Sequence, residues 1–264
     1  MVERVRTRIA ALVLAAVTAL ALAGCGDVED GDASAGAERG GRTLTVFAAA
    51  SLTETFTSLG EAFEAAHPGV TVRFGFGGSS TLAQQIVQGA PADVFAAAST
   101  ATMKTVADRG AASGQPRIFA RNRLVIAVAK DAAGKVTSLR DLAGRDLKVV
   151  LCAEQAPCGD AAGKALRAGG VRVEPVSREK DVKAVLTKVR MGEADAGLVY
   201  RTDVRAASGQ VTGVEFPESA EAGNDYPIAV LAEAPQPELA REFVRLVLSG
   251  QGRTVLAQAG FEAP

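Results

Sequence analysis

Two stretches of this chain place a hydroxyl residue where a strand turns into a helix. One runs Thr45-Val46-Phe47-Ala48-Ala49-Ala50-Ser51-Leu52, the other Phe74-Gly75-Phe76-Gly77-Gly78-Ser79-Ser80-Thr81-Leu82. A helix start carries backbone N–H groups without an intrahelical acceptor and a partial positive charge. A serine hydroxyl added there makes a donor-rich cradle for an anion with no formal charge of its own. Two such cradles predict a site that surrounds a small oxyanion with neutral donors. Taken singly, either serine could do no more than cap its helix, a contribution of about 1 kcal/mol.

The elements that must carry these turns alternate along the chain. Leu44 to Ala48 reads as a short strand, and Leu52, Phe56, Leu59 and Phe63 follow at helical spacing until Pro68-Gly69. Val70 to Phe76 is a strand, Ser79 to Gln88 a helix, Val94 to Ala97 a strand and Thr100 to Arg109 a helix. This order implies a parallel sheet with helices on its faces. A long strand, Arg117 to Lys130, leads into a second unit: strand Leu147–Leu151, helix Ala161–Ala168, strand Val171–Val176, helix Lys180–Met191 and strand Ala196–Tyr200. Tyr226–Leu231 is a further strand, and helices near Leu239–Leu248 and Arg253–Gln258 close the chain. The expected fold is α/β with two lobes, residues 42–124 with 228–264 and residues 125–227, joined by two crossings with a cleft between them. Ligands of parallel sheets sit beyond the carboxyl ends of strands, which is where both hydroxyl cradles fall.

Composition narrows the functions. The net charge of −1 offers no footprint for nucleic acid. One histidine, His67, leaves no histidine triad and no His-based metal site. Gly159-Asp160-Ala161-Ala162-Gly163-Lys164-Ala165 is one residue short of a phosphate-binding P-loop and has Ala165 where a magnesium-holding hydroxyl belongs. No Gly-x-Ser-x-Gly elbow is present. An extracytoplasmic phosphoester hydrolase is the remote alternative; it needs a nucleophile beside a base, and His67 lies at the far end of its helix.

Residues 1–25 read as a targeting segment: Arg4, Arg6 and Arg8 precede an apolar run from Ile9 to Ala23. The run ends in Leu22-Ala23-Gly24-Cys25, which matches the bacterial lipobox and predicts lipidation of Cys25. Residues 26–41, rich in Gly, Ala, Ser and acids, read as a flexible tether. The folded part is thus expected at the outer face of the cell membrane. Cys152 and Cys158 remain in an oxidising compartment, which favours a disulfide over two small buried thiols.

The ordered blocks resemble a known family. Val46-Phe47-Ala48-Ala49-Ala50-Ser51-Leu52-Thr53 is similar to the opening signature of molybdate-binding proteins of molybdate ABC transporters. Gly78-Ser79-Ser80-Thr81-Leu82-Ala83-Gln84-Gln85-Ile86 and Gly89-Ala90-Pro91-Ala92-Asp93-Val94-Phe95 resemble the next two blocks, Gly197-Leu198-Val199-Tyr200 and Tyr226-Pro227-Ile228-Ala229-Val230 two later ones. The resemblance implies the two-lobed periplasmic-binding-protein fold of type II. It also implies an extracytoplasmic protein, not an enzyme, that captures molybdate or tungstate and delivers it to an ABC permease, with no cofactor and molybdenum bound only as its oxyanion. Carried over by position, the ligand set is Ser51, Ser79, the backbone N–H groups of Cys158 and Val182, and the hydroxyl of Tyr200, with Ser80 as an additional candidate. Cys158 stands where the family commonly has alanine. A binding protein for sulfate or thiosulfate is the nearest alternative, and a monomer is the default.

Overall fold

The computed structural model describes residues 41–264. The leader, Cys25 and all but the last residue of the tether lie outside them.

Strand β1 (Arg42–Ala49) buries Leu44, Val46 and Ala48 completely. A 3-10 turn over Ala50–Leu52 leads into α1 (Thr53–Ala66), whose Phe56, Leu59 and Phe63 form one buried stripe. Burying each such side chain stabilises the fold by roughly 1.5–3 kcal/mol. The chain continues through β2 (Val70–Gly77), α2 (Ser79–Val87), β3 (Val94–Ala96), α3 (Thr100–Ala107) and β4 (Ala112–Asn122). The second lobe holds β5 (Leu124–Ala129), β6 (Val149–Cys152), α4 (Pro157–Ala168), β7 (Ser177–Glu179) and α5 (Val182–Arg190). It is completed by β8 (Ala196–Tyr200), α6 (Arg201–Ala206) and β9 (Val211–Val214). The chain then returns through β10 (Asn224–Leu231), α7 (Pro237–Leu248) and α8 (Gly250–Ala259).

Two mixed sheets result, ordered β2-β1-β3-β10-β4 and β7-β6-β8-β5-β9. Within each, three strands run parallel (β2, β1, β3; β7, β6, β8), and β10 and β5 are antiparallel to their neighbours. Each sheet has its own apolar core. In the first, Phe243 of α7 packs edge-on against Phe56 and Phe63 at 5.9 and 5.5 Å between ring centres.

Several expectations are corrected. The long strand over 117–130 is two strands in different sheets. The break falls at Arg123, whose N–H is taken by the Asn122 side chain at 3.0 Å instead of a strand neighbour. Leu124 therefore opens the second sheet. Asn224 to Pro227 pair with β4 in the first sheet, so the return crossing lies between Val214 and Asn224 and not at 227/228. The register shift at Tyr226/Pro227, where proline cannot donate to the ladder, hides the start of this strand in the sequence. Val171–Val176 forms no strand. Pro175 interrupts it, Val176 is 60% exposed, and the short β7 that follows makes the pairing with β6. The sequence reading also lacked α6 and β9.

Candidate functional site

Six parallel strands, three per sheet, end at one place. Ser51 follows β1, Ser79 follows β2 and Ala98 follows β3. On the other side, Cys158 follows β6, Val182 follows β7, and Tyr200 is the last residue of β8. A cavity lies between them, about 230 Å³ when the part open to solvent is included. Ser51, Ser79, Cys158, Val182 and Tyr200 all line it, each at most 4% exposed. Ser80 does not. It faces outward from α2, and its hydroxyl donates to the Gln155 carbonyl of the other lobe at 2.6 Å.

Neither cavity serine caps a helix. Ser51 sits inside the 3-10 turn and Ser79 is the first residue of α2; neither helix start has a side-chain cap bond. Their hydroxyls are used otherwise. Ser79 Oγ accepts the Ala98 N–H at 3.0 Å, which leaves its own proton for the cavity. Ser51 Oγ lies 2.9 Å from the Tyr226 hydroxyl. Tyr200 Oη accepts from the Asn224 side chain at 2.8 Å. Burial pushes both phenols well above the ordinary tyrosine range, so each keeps its proton and remains able to donate.

The backbone contributes two further donors. Cys158 and Val182 lie in the first turns of α4 and α5, where N–H groups have no intrahelical acceptor. Val182 packs its side chain in the core with Val185, Leu186 and Val189 and is also one of the residues that line the cavity. Asp181 is the one carboxylate among the lining residues. It is occupied as the cap of α5, accepting the Ala184 N–H at 2.9 Å.

Cys152 and Cys158 form a disulfide with their Cα atoms 5.8 Å apart. It ties the end of β6 to the first turn of α4, next to the Cys158 N–H. Gly159 completes the fit, because a Cβ there would collide with the Ala153 carbonyl. Only glycine lets the first turn of α4 press against the disulfide turn.

The lobes touch around the cavity. Gly78 approaches Lys180 so closely that a Cβ on it would stand 2.5 Å from the Lys180 carbonyl oxygen. Lys183 of α5 pairs with Glu54 of α1 at 2.7 Å. Behind Tyr200, Asp203 is fully buried. Its Oδ2 accepts the Tyr200 N–H at 3.1 Å, while Oδ1 lies 3.3 Å from Lys183 Nζ and makes no hydrogen bond. Burial raises its pKa to about 6, against the opposing pull of Lys183 and the Tyr200 N–H, with Glu54 adding to the rise.

A raised carboxyl pKa favours the fold while the group is protonated. The contribution is complete below the unfolded value near 3.8 and is lost as pH climbs through about 6. The stability difference between Asp203→Asn and the parent should therefore move in the variant's favour by about 2–3 kcal/mol between pH 4 and pH 8. Calorimetric melting across that range checks this; a constant difference contradicts it.

Sequence reasoning missed Ala98, Asn224 and Tyr226, the groups behind the cavity hydroxyls. Tyr226 was visible only as a second tyrosine in an apolar strand, and nothing local marked Asn224.

Comparison with known proteins extends this picture. A family model described as bacterial extracellular solute-binding protein matches residues 44–262. The molybdate-binding protein ModA of Mycobacterium tuberculosis is 47% identical over 251 residues, which cover 94% of this chain and 96% of the relative. That of Escherichia coli is 32% identical over 228 residues, 83% of this chain and 88% of the relative. Among solved structures, the periplasmic molybdate-binding protein of Azotobacter vinelandii superposes with a TM-score of 0.74 at 23% identity, covering 84% of this chain and 99% of that one. The sulfate-binding protein SubI of Mycobacterium tuberculosis superposes at 0.71 with 18% identity, covering 84% and 87%. Both structures share the two-lobed fold.

Proposed function

The chain belongs to the bacterial extracellular solute-binding protein family, and from this premise we propose that it captures molybdate, and tungstate with it, in the cavity between its lobes. The relatives are solute-binding proteins and not enzymes. The proposed ligand set is Ser51 and Ser79 from one lobe, and the Cys158 N–H, the Val182 N–H and the Tyr200 hydroxyl from the other. In this reading the protein is held at the outer membrane face by lipidated Cys25 and acts as a monomer. It hands the anion to a membrane-embedded ABC permease.

The observation that carries the reading is the convergence of these five buried residues, from both lobes, on one cavity. Molybdate is a tetrahedral dianion whose removal from water costs many kcal/mol unless its oxygens find partners. Hydrogen bonds to a charged group contribute roughly 1.5–3 kcal/mol each, and a helix start adds roughly 0.3–1 kcal/mol. Five donors and the first turns of α2, α4 and α5 offset that cost. A ligand set made of donors alone also disfavours hydrogen phosphate, whose proton needs an acceptor. Sulfate has the same charge and protonation but is smaller, so discrimination against it must come from cavity size. Because donors come from both lobes, ligand contacts are complete only when the lobes meet, which is the differential affinity that closure requires.

Thermal melting with molybdate, tungstate, sulfate, thiosulfate and phosphate tests the proposal. Ligand at about a hundred times Kd stabilises by about 2.7 kcal/mol, a rise in Tm of roughly 5–10 °C for a domain of this size. Molybdate and tungstate should produce it at micromolar concentrations. No rise with molybdate, or an equal rise with sulfate at the same concentration, overturns the assignment.

A further inference from the structure

Asn224 stands at the first residue of β10, where the chain returns to the first sheet. Its Nδ2 lies 2.8 Å from Tyr200 Oη, 2.8 Å from the Ala98 carbonyl and 3.3 Å from the Pro157 carbonyl. Ala98 belongs to the first lobe, Tyr200 and Pro157 to the second. We infer that Asn224 is a positioning residue that fixes the direction of the Tyr200 hydroxyl, turning its proton toward the cavity anion while holding the lobes together. The inference rests on the anion-binding reading of the cavity.

The argument begins with the amide itself. Carbonyl oxygens only accept, so two of them facing one end of the Asn224 side chain require that end to be the NH2 group. The NH2 group can only donate, and its two protons go to the two partners at 2.8 Å, the Ala98 carbonyl and the Tyr200 oxygen, with the Pro157 carbonyl a longer shared contact at 3.3 Å. A phenol oxygen that accepts here must direct its single proton elsewhere. Two destinations remain beside the buried ring: the cavity and the Tyr226 hydroxyl, which packs against Tyr200 with ring centres 6.0 Å apart and is held at 2.9 Å by Ser51. An oxyanion is the stronger acceptor of the two. Tyr200 thereby faces the ligand as a donor.

The same residue reaches the opposite wall. Ala98, whose carbonyl accepts from Asn224, gives its N–H to Ser79 Oγ at 3.0 Å. One side chain therefore backs a cavity hydroxyl of the second lobe directly and touches the residue that backs a hydroxyl of the first. Separating the lobes would break one set of these contacts. Asn224 thus links the donor orientation of Tyr200 to the closed arrangement.

A double-mutant cycle tests this by calorimetric titration of the full chain with sodium molybdate, using wild type, Asn224→Ala, Tyr200→Phe and the double variant. Asn224→Ala should weaken binding about tenfold in the wild-type background and about threefold once the Tyr200 hydroxyl is gone, the remainder being its contacts with the Ala98 and Pro157 carbonyls. A residue that serves only the hinge would cost the same in both backgrounds, and that result overturns the inference, as does an unchanged affinity in Asn224→Ala. Should melting show Asn224→Ala unfolded, the cycle is run with Asn224→Leu, which keeps the volume and removes the amide without adding charge. It should cost about tenfold when Tyr200 keeps its hydroxyl and clearly less without it. A wild type that does not bind molybdate at all brings down the functional reading itself, and the inference with it; additive losses on an intact wild-type affinity bring down the inference alone.

Discussion

Gly78→Val should abolish tight molybdate binding and leave both lobes folded. The backbone at Gly78 has φ −62° and ψ 124°, an ordinary extended conformation that valine adopts readily. Glycine is therefore not required by the local chain. It is required by the opposite lobe: a Cβ would stand 2.5 Å from the Lys180 carbonyl oxygen and 3.4 Å from its carbon. Both partners of that clash are backbone or bonded directly to it, so neither can swing away. With the lobes held apart, the anion keeps Ser51 and Ser79 and loses the Cys158 N–H, the Val182 N–H and the Tyr200 hydroxyl. At roughly 1.5 kcal/mol or more each, these three amount to at least about a thousandfold in Kd. Calorimetric titration should show that loss, and melting without ligand should show a Tm within about 3 °C of the parent. Retained affinity means that the contact between Gly78 and Lys180 is not part of the bound state.

The contrast between Gly78 and its neighbours shows which parts of the site can be read from the chain. Ser51, Ser79 and Tyr200 stand at strand ends, and local order already places them where ligands of parallel sheets lie. The reason for Gly78 cannot be local, because its conformation would suit most residues; it resides about a hundred positions away at Lys180. The same holds for Asn224, whose partner Ala98 is 126 residues distant, and for Tyr226, 175 residues from Ser51. The contact of Gly78 exists only after two lobes have folded and met, and the other two only after β10 has returned to the first sheet beside β3. The strand errors have a related cause. Valines at 171, 173 and 176 suggest a strand, but Pro175 denies the ladder a donor, and Val171 and Val173 pack on the second core from a loop instead. At Arg123, one side-chain hydrogen bond to a backbone N–H divides the expected single strand between two sheets. Periodicity reports which faces are apolar and is silent on which sheet receives them.

Tyr200→Phe isolates the largest single side-chain contribution expected from the second lobe. The ring is fully buried and packs edge-on against Tyr226, and phenylalanine keeps that packing. Only the hydroxyl is lost. Asn224, which donates to that oxygen, retains the Ala98 and Pro157 carbonyls, so no buried donor is left without a partner. The unliganded protein should therefore melt within a few degrees of the parent. The bound state loses one hydrogen bond to a dianion in a water-poor cavity, worth roughly 1.5–3 kcal/mol, so Kd should rise roughly ten- to a hundredfold. Ser51→Ala offers the matching test from the first lobe, although it also deprives the Tyr226 hydroxyl of a 2.9 Å partner and should lower the unliganded Tm more. If molybdate binds Tyr200→Phe as tightly as the parent, the Tyr200 hydroxyl does not touch the anion, and only the Cys158 and Val182 N–H groups are left on the second lobe to drive closure.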